Sequence, residues 1–372
     1  MIKIIELSTK KQLKQFIEFP NQLYKGNSFY VPPLYLSVEW MLSKKNPFFQ
    51  HSQVALFLAI DENKVIGRIA AIYNKTHIDR YNDKTGFFGF FESVNTVDVA
   101  QKLFMAASDW LKRKGLTTMM GPANLTTNES CGILIEGFGQ APMALMPYNF
   151  EYYIDLYQSC GLEKVMDLFS YEINGNAIEE KYGNVLKKSM ASLDKNKIII
   201  RPISSKNFDK DIANLMPVYN KCNENNWGFM PLNTDEFKAM AKDLKMITSL
   251  DLALVVEKDN CIIGFIIAIP NINQSLKHVK NGKLFPLGLL KLLWYKRKIN
   301  NARVLILGVL GEHSGLGLDL VLYQRIKEAL NLHSIYQSEA CYVMENNYQM
   351  NSILKKIGGK CVKKYRMYQM KY

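Results

Sequence analysis

The chain carries an internal repeat whose period is more than half of its length. Six residues return in the same type at an offset of 197 positions. A short period is typical of solenoid proteins, whereas a period this long predicts two copies of one globular fold. The six pairs are Ile66 and Ile263, Gly67 and Gly264, Asn74 and Asn271, Asn149 and Asn346, Gly161 and Gly358, and Tyr171 and Tyr368.

Predicted helices and strands alternate in the same order in both halves. The first half has extended segments at 54–60, 65–73 and 85–93, followed by a helix that ends near Gly115. This alternation predicts an α/β fold with a mixed (α+β) sheet. We therefore predict an N-terminal domain at 1–177, a linker helix at 178–196 and a C-terminal domain at 197–372.

The composition is that of a folded globular protein. At 372 residues and 48% hydrophobic content, each half is long enough to bury a core of its own. The six cysteines are scattered without a C-x-x-C pair, and the first residues are typical of a strand. We expect a cytoplasmic protein with reduced thiols, no metal site and no transmembrane helix.

The net charge of +13 requires a partner or a compositional cause. There are three candidate partners: nucleic acid, an anionic membrane surface and a phosphorylated cofactor. The alternative is a composition rich in Lys, Asn and Ile that raises the charge without any function. The cations cluster around the apolar segment 284–295, which favours a membrane interface over nucleic acid. Peripheral binding at the inner membrane is one interpretation, and a buried connecting helix is the other. The candidate membrane residues are Leu287, Leu290, Trp294, Lys296 and Arg297.

A glycine-rich turn separates a predicted strand from a predicted helix at 304–319. Such a turn presents free backbone N–H groups at the positive end of a helix, where a pyrophosphate binds well. The motif is weak by itself, and it is not a P-loop because the Gly-Lys-Ser/Thr ending is absent.

The segments that surround this turn carry a resemblance to a known superfamily. Asn347 opens a helical stretch that ends at Gly358, and Asn149 opens a similar stretch that ends at Gly161. Together with the turn, these motifs resemble the GNAT acyltransferase superfamily in both halves. The resemblance spans nearly the whole chain and implies two tandem GNAT-like acyl-CoA N-acyltransferase domains.

Four further phrases resemble one bacterial subgroup of tandem GNAT proteins. They are Asn46-Pro47-Phe48-Phe49, the aromatic run 86–92, Met146-Pro147-Tyr148-Asn149 and Leu284-Phe285-Pro286. The subgroup includes bacterial ceramide synthases, which transfer a fatty acyl group from acyl-CoA to the amine of a sphingoid base. The resemblance therefore implies acyl-CoA as co-substrate and an amine acceptor of lipid type.

The coenzyme A loop departs from the superfamily pattern. Ser314 stands where Arg or Gln is expected, and Asp319 stands where Gly or Ala is expected. The first half lacks the loop altogether. Neither half is complete, which suggests one composite site divided between them. The resemblance implies these coenzyme-binding residues: Leu307, Val309, Ser314, Gly315, Gly317 and Asn347.

Three residues are candidates for the acid–base chemistry of acyl transfer. The acceptor ammonium must lose a proton before it attacks the thioester. Glu92, at the end of the aromatic strand, is our candidate base, and Glu345 is its equivalent in the second half. A carboxylate that only caps the following helix is the alternative for Glu92. Tyr157, four residues before Gly161, matches the position where many GNAT enzymes place a general acid.

The loop 121–132 is dense in amides and hydroxyls and lies between predicted strands. We interpret it as a wall of the acceptor site, although such a loop is often only a connection. The candidate substrate-binding residues are Asn124, Asn128, Tyr148 and Asn149.

The sequence thus predicts an acyl-CoA-dependent N-acyltransferase that acts on a long-chain amine at the membrane face. Two alternatives stay open. One is a soluble N-acetyltransferase of a small amine, in which 284–298 is core. The other is a non-catalytic protein that binds acyl-CoA or lipid through a degenerate site.

Overall fold

The structure, a computed structural model, describes residues 1–174 and 177–372. The first half alternates short helices with strands. Its elements are β1 (Lys3–Glu6), α1 (Lys10–Leu23), α2 (Tyr35–Met41), β2 (Gln53–Asp61), β3 (Lys64–Tyr73), α3 (Lys75–Tyr81), β4 (Thr85–Ser93), α4 (Val97–Lys112), β5 (Thr118–Gly121), β6 (Ile133–Glu136), α5 (Tyr153–Ser159) and β7 (Glu163–Asn174).

The second half repeats much of this order. Its elements are α6 (Ala177–Lys195), β8 (Ile198–Pro202), α7 (Phe208–Asn223), α8 (Thr234–Ile247), β9 (Ala253–Lys258), β10 (Cys261–Pro270), α9 (Asn273–Leu276), α10 (Gly288–Lys296), β11 (Asn301–Val309), α11 (Leu318–Leu332), β12 (Gln337–Met344), α12 (Tyr348–Lys356) and β13 (Lys360–Lys371). Repeat partners Gly67 and Gly264 lie on the corresponding strands β3 and β10.

Packing divides the chain into two compact units that interleave along the sequence. Unit 1 contains residues 1–168, 273–297 and 363–372, and unit 2 contains 169–272 and 298–362. The predicted linker helix forms as α6 and lies in unit 2. The predicted domain boundaries follow the repeat and stay a prediction, because packing assigns the last strand and the 273–297 segment to unit 1.

Unit 1 is built on a mixed sheet in the order β1-β2-β3-β4-β5-β13, with β6 also paired to β13. Strands β4 and β5 are parallel, whereas β1–β2, β2–β3, β3–β4, β5–β13 and β6–β13 are antiparallel. Helix α4 forms because its apolar residues recur every three or four positions and cover the sheet. The buried residues of α4 are Val99, Ala100, Leu103, Phe104, Ala107, Ser108 and Leu111.

Unit 2 repeats this plan with the order β8-β9-β10-β11-β12, and residues 169–174 of β7 follow β12. Its parallel pair is β11 and β12. Phe265 of β10 lies in a core with Tyr219 and Phe237 from α7 and α8. The mixed α/β class predicted from the sequence is confirmed in both units.

The parallel strand pair of each unit is short. In unit 1 the β4–β5 ladder covers only Thr85–Phe87, and in unit 2 the β11–β12 ladder covers only Asn301–Val304. The carboxyl ends of β4 and β11 therefore extend past their parallel partners. These two strand ends carry the residues that the sequence singled out.

Candidate active site

A cleft lies in unit 1 beyond the end of the β4–β5 ladder. Its open space is about 410 Å³, counted with the solvent at its mouth. The polar residues that line it come from four separate parts of the chain. They are Arg68, Glu92, Asn124, Ser130, Tyr148, Asn149 and Tyr153.

Glu92 belongs to this lining and is the last residue but one of the aromatic strand β4. The β3–β4 register places Arg68 directly opposite it. Arg68 Nη2 lies 3.6 Å from Glu92 Oε1, and both side chains are largely buried, at 9% and 13% exposure. Arg68 is held in turn by a 2.7 Å hydrogen bond from Nη1 to the carbonyl of Phe16 in α1.

Two tyrosine hydroxyls donate to the other oxygen of this carboxylate. Tyr24, the residue that ends α1, and Tyr153, the first residue of α5, each lie 2.7 Å from Glu92 Oε2. The backbone N–H of Ser93 donates to the Tyr153 hydroxyl at 3.0 Å and fixes its direction. Glu92 therefore does not cap α4, so the capping alternative is wrong.

Burial sets the protonation behaviour of this cluster. Desolvation raises the pKa of Glu92 above its ordinary value, and Arg68 and the two tyrosine hydroxyls lower it in part. Burial and the neighbouring carboxylate raise the pKa of Tyr24 and Tyr153 well above their ordinary values. Both tyrosines thus stay protonated donors near neutral pH.

The predicted substrate residues do not all reach the cleft. Asn124 lines it and accepts a 2.9 Å hydrogen bond from the backbone N–H of Phe90. Tyr148 lines it too, and its hydroxyl accepts from Asn27 Nδ2 at 3.2 Å. Asn149 also lines it, but its amide is engaged by the backbone N–H and carbonyl of Leu134. Asn128 is half-buried and is not among the lining residues.

Tyr157 lies in the aromatic core of unit 1 rather than in the lining of the cleft. It is fully buried, and its ring packs against Phe91, Phe104 and Tyr368 at centroid distances of 5.1 to 5.3 Å. Its hydroxyl has no hydrogen-bond partner in the described part of the chain. Burial raises the pKa of Tyr157 well above its ordinary value, so its hydroxyl stays protonated near neutral pH.

The glycine-rich loop of unit 2 has the backbone of an anion site. Gly315 and Gly317 take left-handed φ values of +88° and +68°, and Gly317 precedes the first turn of α11. Because the N-cap residue is a glycine, it has no side chain to cap the first N–H groups of this helix. A Cβ on Gly317 would lie only 2.2 Å from Ser189 Oγ of α6, and the φ of +68° also favours glycine here.

The side chains of this loop suit a pyrophosphate less well than its backbone does. Ser314 Oγ donates to the carbonyl of Gly311 at 2.7 Å and is used within the loop. Asp319 adds a negative charge to the first turn of α11. The arginine or glutamine of the superfamily pattern thus has no equivalent at Ser314.

The other unit 2 candidates lie on or near the strand ends. Leu307 and Val309 pair with β10 on one side of β11, beyond the β11–β12 ladder. Asn347 caps α12 by accepting from the N–H of Met350 at 3.1 Å. Glu345 is half-buried and follows β12 directly.

The apolar segment around α10 is exposed rather than buried. Leu287, Leu290 and Trp294 are 59%, 64% and 66% exposed, and Lys296 and Arg297 are exposed as well. The hypothesis that 284–298 is core is therefore wrong. None of the helices in the described part of the chain is long and apolar enough to cross a lipid bilayer. Within residues 1–174 and 177–372, no group of three or more His, Cys, Asp or Glu side chains could hold a metal ion.

Sequence reasoning found Glu92 but missed the three residues that hold it. Arg68 is the only charged residue within the apolar run Val65–Tyr73, and this was an available signal. Tyr24 and Tyr153 had none, because their contacts with Glu92 span 68 and 61 positions of the sequence.

Two protein sequences and several solved structures resemble this chain. Protein YghO of Escherichia coli is 33% identical over 97% of this chain and 93% of its own length. The bacterial ceramide synthase of Caulobacter vibrioides is 30% identical over 99% of this chain and 97% of its own. No family model matches the sequence.

The solved structures bear on the fold. A tandem GNAT protein from the clavulanic acid biosynthesis pathway has a TM-score of 0.59 at 8% identity, covering 100% of this chain and 98% of its own. A GCN5-related N-acetyltransferase from Sphaerobacter thermophilus has a TM-score of 0.51 at 10% identity, covering 100% and 95%. The fold is thus the tandem GNAT fold. By its full-length identity to both sequence relatives, the chain belongs to the bacterial family of tandem GNAT proteins that contains YghO and the bacterial ceramide synthase.

Proposed function

We propose that this protein is an acyl-CoA-dependent N-acyltransferase and that Glu92 is its catalytic base. The observation that carries the proposal is the buried Glu92 carboxylate in the unit 1 cleft, held by Arg68, Tyr24 and Tyr153. A carboxylate whose pKa is raised by burial is a better proton acceptor than one in water. Because one oxygen already accepts two hydroxyls, Oε1 is the atom assigned to the substrate proton.

The proposed reaction needs no covalent enzyme intermediate. Glu92 takes a proton from the acceptor ammonium, and the free amine nitrogen then attacks the thioester carbon of acyl-CoA. The C–N bond forms and the C–S bond breaks, giving coenzyme A thiolate and an amide, whose nitrogen releases the second amine proton to replace the one that the thiolate takes. Tyr157 is the proposed donor of the proton that this thiolate takes, since its buried hydroxyl lacks a protein partner.

The coenzyme-binding residues form a separate part of the proposal. Gly315 and Gly317 are assigned to the pyrophosphate through the backbone of their loop, which is the role of such loops at helix N-termini. Leu307 and Val309 are assigned to the pantetheine arm as strand residues beyond a parallel ladder. Asn347 is proposed to contact the cofactor. Glu345 is the second candidate base.

We propose a long-chain, sphingoid-type amine at the membrane face as the acceptor. Two facts support this choice. One relative is named a ceramide synthase, and aromatic residues line the cleft, among them Phe90, Phe91 and Tyr148. The exposed apolar helix α10 supports a lipid surface as the place of reaction.

One observation favours a second candidate function, binding of acyl-CoA or lipid without catalysis. Ser314 is engaged within its own loop and Asp319 repels a phosphate, so this site binds coenzyme A through backbone groups alone. A soluble N-acetyltransferase of a small amine is less well supported, because an enzyme that acts in solution would not need the exposed apolar side chains of α10.

A transfer assay with purified protein tests the proposal. Protein in mixed micelles is given acetyl-CoA or palmitoyl-CoA as donor and sphinganine as acceptor, and mass spectrometry detects the amide. We expect amide from palmitoyl-CoA and none from a Glu92→Gln variant. Binding of palmitoyl-CoA by calorimetry without amide from any amine would favour the binding protein. Amide from acetyl-CoA and small amines only would favour the soluble N-acetyltransferase.

A further inference from the structure

The segment 277–297 presents an apolar face that the fold of unit 1 leaves uncovered. Six large apolar side chains within ten residues are 40% or more exposed: Phe285, Leu287, Leu289, Leu290, Leu293 and Trp294. The segment is nevertheless held in place. The ring of His278 stacks on Tyr295 of α10 with centroids 3.6 Å apart. A fixed apolar patch rimmed by charge is typical of an interaction surface.

The charge around this face has one sign. Segment 277–297 carries six cations, and the sequence has no Asp or Glu between Asp259 and Glu312. The six cations are Lys277, Lys280, Lys283, Lys291, Lys296 and Arg297. An apolar face ending in Trp and rimmed by cations is complementary to a bilayer with anionic headgroups, where apolar groups enter the acyl boundary and cations meet phosphate.

The segment is fastened to α1 and to a loop of the same unit. Lys283 Nζ lies 2.6 Å from Glu18 Oε1 of α1. Shortly before the segment begins, Asn273 Nδ2 donates to the carbonyls of Pro142 and Met143, at 3.0 Å each. The segment and these two supports all belong to unit 1.

The same two supports also build the candidate active site. Helix α1 supplies the Phe16 carbonyl that holds Arg68, and the Tyr24 hydroxyl at its end donates to Glu92. The loop that begins at Pro142 continues to Tyr148 in the cleft lining. The apolar face and the proposed base are thus connected through two short stretches of ordered chain.

We infer that segment 277–297 is a membrane-interface anchor for an anionic bilayer, and that it lets the Glu92 cleft draw its long-chain amine from that bilayer. The second half of this inference rests on the proposed function, and the first half does not. The anchor explains why large apolar side chains on α10 stay exposed. It also gives a water-insoluble amine a route that does not cross bulk water.

Vesicle binding tests the anchor without reference to activity. The full-length protein is sedimented with vesicles of phosphatidylcholine, with and without phosphatidylglycerol. We expect binding to the anionic vesicles. Binding should fall at least ten-fold in a Leu290→Glu, Trp294→Glu double variant, because two apolar side chains that would enter the bilayer become charged. Leu332→Glu is the matched control, since Leu332 is 86% exposed on α11 of unit 2. Lys296→Gln and Arg297→Gln should each cost about five-fold on anionic vesicles and little on neutral ones.

Two outcomes would overturn the anchor. One is vesicle binding that is absent, or equal in the double variant and in Leu332→Glu. The other is a dimer by light scattering that the double variant alone converts to monomer, which would make this face an interface between two copies. Circular dichroism of each variant separates both outcomes from unfolding.

An acceptor comparison tests the route. The rate with sphinganine embedded in vesicles is divided by the rate with a short-chain amino alcohol in solution. We expect this ratio to fall at least ten-fold in the double variant, and an unchanged ratio would contradict the route. If no amide forms from any acceptor, the proposed function fails, while the vesicle result still decides the anchor.

Discussion

The two units place different residues at corresponding positions of one scaffold. In unit 1 the β3–β4 register sets Arg68 opposite Glu92, and in unit 2 the β10–β11 register sets Phe265 opposite Gly308. A Cβ on Gly308 would lie 2.7 Å from the Phe265 ring, so the aromatic ring occupies that space. An ion pair in one unit is thus an apolar contact in the other.

A second contrast lies between helix α5 of unit 1 and helix α12 of unit 2. Tyr157 of unit 1 corresponds to Leu354 of unit 2 at the repeat offset of 197, and both side chains are fully buried. The glycine loop shows the reverse pattern, since it precedes α11 of unit 2, whereas β4 leads to α4 within four residues. The difference supports acid–base chemistry in unit 1 and backbone anion binding in unit 2.

Glu92→Gln tests the first part of this comparison and has the largest expected effect. The change keeps the shape of the side chain but removes the proposed base, so kcat should fall roughly 100- to 10,000-fold. The measurement is the steady-state rate of amide formation. Glu136→Gln is the control, because Glu136 is 59% exposed in unit 1 and forms an ion pair with Lys364 outside the cleft. An equal loss in Glu345→Gln alone would place the base in unit 2 instead.

Gly317→Ala tests the second part, through the stability of unit 2. The methyl group meets Ser189 and the residue must keep a φ of +68°, so the change should cost about 1 to 3 kcal/mol of unfolding free energy. Denaturant unfolding and palmitoyl-CoA calorimetry measure the two consequences. Gly315→Ala separates strain from overlap, because its φ is +88° but no atom lies within 4 Å of the added carbon. Ser189→Gly in the Gly317→Ala background should restore part of the loss.

Tyr157→Phe sharpens the contrast with Leu354. Removing an unpaired buried hydroxyl should leave Tm unchanged or raise it, because no hydrogen bond to protein is lost. If Tyr157 is the proton donor, kcat should nevertheless fall ten-fold or more. Thermal unfolding and steady-state kinetics are measured on the same preparation. An unchanged kcat would leave Tyr157 as a core residue and remove it from the mechanism.

Tyr24→Phe should move the pH dependence of the reaction. The Tyr24 hydroxyl lowers the pKa of Glu92, so its loss should raise that pKa further. The acidic limb of the kcat/KM profile should then shift to higher pH, by less than about one unit for one hydrogen bond. Tyr152→Phe is the control, because the Tyr152 hydroxyl donates to the Ser93 carbonyl and not to Glu92. A shift of the limb to lower pH would contradict the assignment.

The stability of the protein should carry a small signature of the same carboxylate. Because the pKa of Glu92 is raised in the folded state, the folded protein binds its proton more tightly than the unfolded chain does. This contribution is present below the ordinary pKa of 4.5 and is lost as pH rises through the folded pKa. The Tm of Glu92→Gln relative to the natural protein should therefore increase with pH across that window. A difference that stays constant with pH would mean that Glu92 is not buried as described.

The repeat, the mixed α/β class and the family motifs could be predicted from the sequence, because each depends on the pattern of residue types along the chain. Strand and helix periodicity, the glycine turn before α11 and the aromatic run that ends at Glu92 all lie within short windows of chain. The charged stretch 178–196 was also predicted to be helical, and the structure has a helix at Ala177–Lys195.

The tertiary structure alone decided what surrounds these features. Tyr24, Arg68 and Tyr153 meet Glu92 only because the end of α1, strand β3 and the start of α5 all reach the end of β4, and such long-range contacts leave no local pattern. It also decided that unit 1 takes residues 363–372, so Tyr368 packs there against Tyr157. Local residue choice determines which elements form, whereas the burial of side chains from distant segments determines which of them share a site.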